Sequence, residues 1–321
     1  CRYYKEDRGA ALMDGILNVY KEQDFTSFDV VAKLRGIVHQ KKIGHTGTLD
    51  PDATGVLPVC IGKATKLCDI IGDWDKTYEA VLLLGKETDT EDTSGKILEE
   101  KEVTVTEEEI QNIILSFQGT YDQIPPMYSA KKVNGKKLYE LARQGIVIER
   151  KPCPVTLSSI HIKKIELPYV TFEVTCSKGT YIRSLCRDIG VKAGCGGCMA
   201  GLIRTRVSSF RIEEGFTLSE VEEMRDRDTL SEHIIPVDKV FLYLPAVFVK
   251  EKGEKLLYNG NPIAVDLYEK EPSAERQNAN EKQEYIYTVG DRVRVYDSHH
   301  NFIGIYQLHE NQVLKPYKLF L

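Results

Sequence analysis

The stretch Gly44-His45-Thr46-Gly47-Thr48-Leu49-Asp50-Pro51-Asp52-Ala53-Thr54-Gly55 decides how the rest of the chain is read. Three glycines and three threonines surround one Asp-Pro pair, and the apolar run Val56-Leu57-Pro58-Val59-Cys60-Ile61 follows without a break. Proline confines the residue before it to extended conformations, so Asp50 sits outside any helix. The glycines permit positive φ and let another chain approach the backbone closely. With the apolar run anchored in a core, the loop would present a carboxylate on tethered, open backbone, which is a place for chemistry. Composition alone fits a surface turn as well, since Gly, Asp and Pro are turn residues. A calcium loop fits poorly. Asp50-x-Asp52-x-Thr54-Gly55 copies the start of an EF-hand, but the twelfth position, which needs a bidentate Glu, is Ile61.

On the N-terminal side of the loop, residues 15–21 read as a strand. Thr26 or Ser27 then caps a helix whose apolar stripe is Phe28, Val31, Leu34 and Val38. Residues 1–12 lack periodicity and precede Met13, which reads as the native start, so they are set aside as a remnant or disordered N-terminus. On the C-terminal side, residues 64–71 look helical and 76–85 form the clearest early strand, with Tyr78 near its opening. A tyrosine in that place is ordinarily a half-buried packing residue.

Charge then separates along the chain. Between residues 86 and 109 ten acids face three lysines, which predicts a solvent-facing segment, followed by a helix carrying Ile110, Ile113, Ile114 and Phe117. Between residues 124 and 152 seven Lys/Arg face two acids, and Asn134-Gly135 signals a hairpin turn. Lys131, Lys132, Lys136, Lys137 and Arg143 interleave there with Tyr128 and Tyr139. Such a cluster is either solvated surface or an RNA contact, and its charge predicts mobility until phosphates order it. Residues 169–176 alternate as a strand and Ser177-Lys178-Gly179 bends the chain. Extended backbone through Thr180-Tyr181-Ile182-Arg183 would put Tyr181 and Arg183 on one face and Ile182 in the core, ahead of a helix with Leu185, Ile189 and Ala193. A lone Arg in a strand usually snorkels to solvent.

With 321 residues, 42% apolar and 28% charged, the chain suits a globular protein of two domains. A net charge of −5 argues against an all-over basic binder without excluding a local patch. No run of 18 apolar residues and no signal peptide is found, so the expectation is a cytoplasmic protein without membrane attachment. Eight unevenly spaced cysteines suggest reduced thiols. Cys195-x-x-Cys198 with Cys186 is half a zinc site with no second half, and reads better as a helix terminus and turn, so no metal is expected. The first domain ends near Pro236-Val237. Short strands then recur at 246–249, 285–289, 292–296, 302–307 and 312–314, with a polar, mobile loop at 269–282, which suggests a small β-barrel.

The loop together with Val56-Leu57-Pro58 resembles the signature of the TruB family, pseudouridine synthases that act on uridine 55 of the tRNA T-arm. Cys176-Ser177-Lys178-Gly179-Thr180-Tyr181-Ile182-Arg183 matches that family's second motif, and Leu202-Ile203-Arg204 a third element. The basic segment resembles its RNA-gripping insertion, and the resemblance runs from about Met13 to Arg211 in the family's order. It implies an α+β fold: a mixed-sheet catalytic domain over 13–243 with an RNA-binding insertion at about 124–152. A PUA-like barrel over 244–321 would follow, on a weaker match. It also implies roles. Asp50 is catalytic, Arg183 pairs with it and keeps it ionised through a bidentate contact, and Tyr78 stacks on the target base. Tyr181 and Leu202 line the uracil pocket, His45 fills the gap left by the flipped base, and Arg204 lies near the site. Lys131, Lys132, Lys136, Lys137 and Arg143 would grip RNA. Asp52 departs from the family's apolar residue, commonly Leu, beside the catalytic position. The implied reaction needs no cofactor and no metal, and the implied partner is the T-arm of tRNA, bound by a monomer with no guide RNA or obligatory protein. Two other readings remain: a guide-RNA-dependent rRNA pseudouridine synthase of the related branch, and a non-catalytic RNA-folding protein. Intact Asp50, Tyr78, Tyr181 and Arg183 weigh against the second.

Overall fold

The computed structural model describes residues 12–133, 135–270 and 287–321. The readings made for residues 1–11, for the turn at Asn134 and for 271–286 lie outside the described residues.

The first strand, β1 (Gly15–Lys21), is antiparallel to β3 (Thr54–Ile61), and β2 (Ile43–His45) also pairs with β3. Between β1 and β2 runs α1 (Ser27–Val38), started by a capping box in which Thr26 and Asp29 satisfy each other's backbone amides. It buries Val30, Val31, Leu34, Ile37 and Val38, while Phe28 is 64% exposed. The buried face is therefore rotated from the expected stripe at its start: five residues at 3–4 spacing define it, and Phe28 falls outside.

After a 3-10 turn, α2 (Cys68–Gly72) leads into β4 (Lys76–Leu84). The short pair β5 (Lys86–Thr88) and β6 (Ile97–Glu100) brackets a turn that folds back onto the sheet, where Thr93 donates to Met199 O and Met199 to Glu91 O. The acidic stretch is thus not all solvent-facing, since Glu91 is 7% exposed. Next come α3 (Glu107–Leu115), with three glutamates at its positive end, and β7 (Gly119–Gln123). The basic segment holds β8 (Lys132–Val133), β9 (Lys136–Lys137) and α4 (Leu138–Ala142) around its own small core of Met127, Leu138 and Leu141. Apolar packing as well as charge therefore shapes this segment.

The hairpin β10 (Cys153–Glu166) and β11 (Tyr169–Cys176) precedes α5 (Ile182–Lys192), β12 (Gly197–Val207), β13 (Phe210–Arg211) and α6 (Leu218–Asp226). The main sheet runs β1-β3-β12-β4-β11-β10-β7, with β2 and β13 alongside. It is mixed because β3 and β12 are parallel while the other pairs are antiparallel. Residues of α1 and α6 share a core with β1 and β3, and residues of α3 and α5 share another with β4, β10, β11 and β12.

A second sheet is made of β14 (Ala246–Val249), β15 (Tyr268–Lys270), β16 (Arg292–Tyr296), β17 (Phe302–Leu308) and β18 (Leu314–Leu319), with α7 (Glu254–Tyr258) beside it. Its order, β15-β14-β16-β17-β18, leaves β15 and β18 as edges, so the described residues form an open sheet and not a closed barrel. Glu269 belongs to β15, not to a loop, residues 287–289 form no strand, and the last strand starts at Leu314. A boundary at 243/244 separates two sheets, and the second has a core of its own around Val247, Leu257, Val293 and Tyr306, but one cluster crosses the boundary. Ile305 and Phe320 pack in one cluster with Ile16, Val56, Cys60, Val207, Phe210 and Phe241. A chain ended at residue 243 loses both side chains from that cluster. Core truncations of this size cost about 2–5 kcal/mol each, so its urea midpoint should fall well below that of the full chain. Equal midpoints would show that the cluster closes without the second sheet. Among the described residues no helix is long and apolar enough to cross a membrane.

Candidate active site

The Asp50 loop leaves the end of β2 and returns to the start of β3, and it is fastened from several directions. Ser27 at the start of α1 accepts from Leu49 N through Oγ at 2.9 Å. Lys21, fully buried at the end of β1, donates to Pro51 O at 3.0 Å. Arg204 of β12, also fully buried, donates from Nε to Val56 O at 2.7 Å and from Nη2 to Gly47 O at 3.2 Å. Leu49 and Ala53 are sunk into the core on either side of the carboxylate.

Register places the remaining groups. Arg204 lies opposite Tyr78 of β4 on one side and Gly55 of β3 on the other, so the three strands carry Tyr78, Arg204 and Gly55 in one row. Gly55 has φ +107°, and a Cβ there would lie 2.2 Å from Arg204 O, so only glycine lets β3 approach β12 where the loop joins it. Tyr78 is 8% exposed and packs in the same cluster as Leu49 and Ala53, with Leu202 half-buried against it. Together they make an apolar wall beneath Asp50.

Asp50 itself stays open, with 45% of its side chain exposed, and its Oδ2 lies 3.1 Å from Arg183 Nε. The contact is single, not the bidentate fork expected. Arg183 spends its other nitrogens elsewhere: Nη1 donates to Thr90 O at 3.1 Å and lies 3.7 Å from Asp92 Oδ2, while Nη2 donates to Tyr128 O at 2.9 Å. Tyr181 and Arg183 are also not on a shared strand. Tyr181 is the N-cap of α5 and Arg183 belongs to its first turn, so the helix and not a pleat aims the guanidinium.

Burial pushes the Asp50 carboxyl above the ordinary carboxylate value, against the pull of Arg183. Asp92 and Asp52 push the same way as burial, and Lys21 opposes them. Arg183 therefore moderates the proton affinity of Asp50 without returning it to normal. Burial and the Arg204 charge lower His45, whose buried Nδ1 has no hydrogen-bond partner among the described residues, and they push Lys76 down to about 8. The Tyr78 phenol is raised by burial.

Of the residues singled out in the sequence, Asp50, Arg183, Tyr78 and Leu202 meet around this wall. Arg204 does not offer itself to a ligand. It has no exposed surface, and its guanidinium donates to two carbonyls around the loop and reaches the Tyr78 hydroxyl, so it stands beside the site as a strut. Replacing Arg204 by Met would leave both carbonyls without this donor, at about 1–3 kcal/mol for each buried group so stranded. The thermal midpoint should drop accordingly, and an unchanged midpoint would mean that water replaces the guanidinium. Asp52, the departure from the family pattern, is exposed and lies near the buried Lys21 charge.

The insertion shows a basic face of mixed character. Lys136 is exposed, Lys137 Nζ and Arg143 Cζ sit 5.4 and 5.3 Å from the Tyr139 ring centre, and Lys131 donates to Cys153 Sγ. Lys131 also lines a cleft of about 410 Å³ with Lys178, Pro125 and Tyr181. Sequence reasoning missed Lys21, Ser27, Asp92 and Gln123. Asp92 was hidden in an acidic run, although a buried Arg183 needs carboxylate or carbonyl partners. Among the described residues no group of three His, Cys, Asp or Glu is placed to hold a metal, and Cys186, Cys195 and Cys198 are buried.

The model of the TruB family pseudouridylate synthase (N terminal domain) matches residues 35–182, and that of the tRNA pseudouridylate synthase B C-terminal domain matches 183–241. The chain is 55% identical over 318 residues to the tRNA pseudouridine synthase B of Lachnoclostridium phytofermentans, covering 96% of this chain and 100% of that protein. The chain belongs to the TruB family. The tRNA pseudouridine synthase B of Clostridium kluyveri is 45% identical over 310 residues, covering 96% of this chain and 100% of its own. Among solved structures, TruB-like architecture recurs in a Cbf5-Nop10-Gar1 complex, with a TM-score of 0.70, 25% identity, and 96% of this chain and 85% of that one covered. An H/ACA RNP bound to a substrate RNA containing 2′-deoxyuridine gives 0.69 at 24% identity, covering 96% and 85%, which speaks to fold alone.

Proposed function

We propose that this enzyme isomerises uridine 55 in the T-arm of tRNA to pseudouridine, with the base flipped against Tyr78 and Asp50 carrying the chemistry. The observation that carries the reading is the Asp50 carboxylate, open on one side, touching Arg183 over the wall of Tyr78, Leu49 and Leu202. The reaction breaks the C1′–N1 bond, turns the uracil and forms C1′–C5, with a proton lost from C5 and one gained at N1. Substrate and product have the same composition and no electrons are exchanged, so the chemistry calls for no cofactor. It calls for a carboxylate at the sugar or base and a pocket that holds the freed uracil out of water. Extruding a base costs a few kcal/mol, which stacking on Tyr78 and packing on Leu202 offset. Tyr181 closes the pocket and His45 enters the stack in place of the base.

The insertion grips the RNA backbone, and the second sheet, read as PUA-like, adds peripheral contacts. The protein works as a cytoplasmic monomer. The guide-dependent reading draws support from one fold neighbour, the Cbf5-Nop10-Gar1 complex. The 45–55% identity over whole chains to proteins named tRNA pseudouridine synthase B favours the tRNA reading. Incubation with a bare T-arm hairpin, followed by chemical detection of pseudouridine, should show conversion with nothing added. No conversion until guide RNA and partner proteins are supplied would select the other branch.

Changing Lys131, Lys132, Lys136 and Lys137 to Gln should weaken hairpin binding and flatten its salt dependence. The log–log slope should fall by about 0.7–0.9 for each phosphate that these lysines no longer neutralise. Unchanged affinity and slope would make the segment ordinary solvated surface.

A further inference from the structure

Helix α5 is held at three points by the root of the insertion. Arg183 donates to Tyr128 O, Arg187 donates from Nη2 to Ile124 O at 3.1 Å, and Gln123 clamps the main chain of Tyr181. In that clamp Tyr181 N donates to Gln123 Oε1 at 2.8 Å, and Gln123 Nε2 donates to Tyr181 O at 3.0 Å. The amide orientation follows from chemistry, since a backbone N–H only donates and a carbonyl only accepts. Gln123 is 1% exposed, ends β7 next to the first residue of the insertion, and also reaches the Tyr121 hydroxyl at 2.6 Å.

The clamp answers a defect in the helix. Tyr181 occupies the N-cap and makes no side-chain cap, unlike Thr26, Thr106 and Thr217 at the starts of α1, α3 and α6. In a capping box the acceptor for the N-cap amide comes from three residues downstream. Here it comes from Gln123, 58 residues upstream, which leaves the tyrosine ring free of capping duty.

We infer that Gln123 is a positioning residue: by fixing the start of α5 it sets Arg183 against Asp50, and it ties that contact to the seating of the RNA-gripping insertion. The inference rests on the reading of Asp50 and Arg183 as the reacting pair. Gln123 touches neither of them directly, so its effect must travel through the first turn of the helix. The groups facing Asp50 are Arg183 from α5, Asp92 from the turn between β5 and β6, Asp52 on its own loop and Lys21 from β1. Of these, only Arg183 lies on the helix that Gln123 clamps.

The test is Gln123→Met, which keeps length and removes all three hydrogen bonds, assayed on the T-arm hairpin. Displacing a reacting group by about 1 Å costs about 100-fold, so kcat should fall on that order while KM stays within about threefold. The acid limb of the pH–rate profile should move to higher pH, because Arg183 lowers the Asp50 pKa and a slack Arg183 lowers it less. In an Arg183→Lys background the same change should cost far less than in the wild type. Unchanged kcat, or a loss that is equal in both backgrounds with the acid limb unmoved, overturns the inference. Should Gln123→Met fail to fold, Gln123→Glu keeps the acceptor for Tyr181 N and loses the donors, and the same pH shift is required of it. Asp50→Asn run in parallel separates the two ideas: an active Asp50→Asn removes the underlying reading, whereas an inactive one with a normal Gln123→Met removes only the role of Gln123.

Discussion

Asp50→Asn should bind the T-arm hairpin about as well as the wild type and turn it over at least about 10⁴-fold more slowly. Loss of a covalent catalytic group costs up to about 10⁶-fold where its partners stay in place, and here they do. Leu49, Pro51 and Gly47 are held through their own backbone atoms by Ser27, Lys21 and Arg204, none of which uses the Asp50 side chain. The amide is nearly isosteric, so Arg183 keeps its bonds to Thr90 and Tyr128. Single-turnover conversion and filter binding on the same RNA separate the two effects. A variant retaining a tenth of the wild-type rate would remove Asp50 from the chemistry.

Arg183→Lys should be nearly as damaging, with turnover down by about 100-fold or more. Three nitrogens of the guanidinium point in three directions, to Asp50, to Thr90 O and to Tyr128 O, and a single ammonium cannot reproduce that spread. The pH profile adds a signature. Burial already raises the Asp50 carboxyl and Arg183 draws it down, so Arg183→Met should shift the acid limb upward. The rate then rises with pH later than in the wild type. Full activity in the lysine variant would mean that charge alone suffices and the fan of hydrogen bonds is incidental.

What could be read in the sequence follows the physics of each signal. The Asp50 loop was legible because glycines, Asp-Pro and an apolar run fix its backbone locally. Residues 180–183 were misjudged because the helix beginning at Ile182 lacks a cap of its own. Its start signal is Gln123, and only the fold brings that residue near. That Arg204 props the loop was not legible, because nothing in a strand sequence reveals the carbonyls that fold up against it. Spacing of short strands predicted a second β unit but misjudged it as a closed barrel, since closure depends on tilt and on stagger between its first and last strands. Asp92 was lost among neighbouring acids that look alike until one of them faces a buried cation.

The fastenings of the Asp50 loop also set an order of assembly. Leu49 meets Ser27 across 22 residues of chain and Pro51 meets Lys21 across 30, whereas Gly47 waits for Arg204, 157 residues further on. Closing the longer loop is slow relative to the shorter ones, because chain entropy must be spent before the contact repays it. A chain leaving the ribosome therefore holds the loop loosely by its near contacts and lacks its last strut until β12 has emerged. Catalytic competence arrives late, as a property of the nearly finished sheet, and a prematurely ended chain carries the motif without the enzyme.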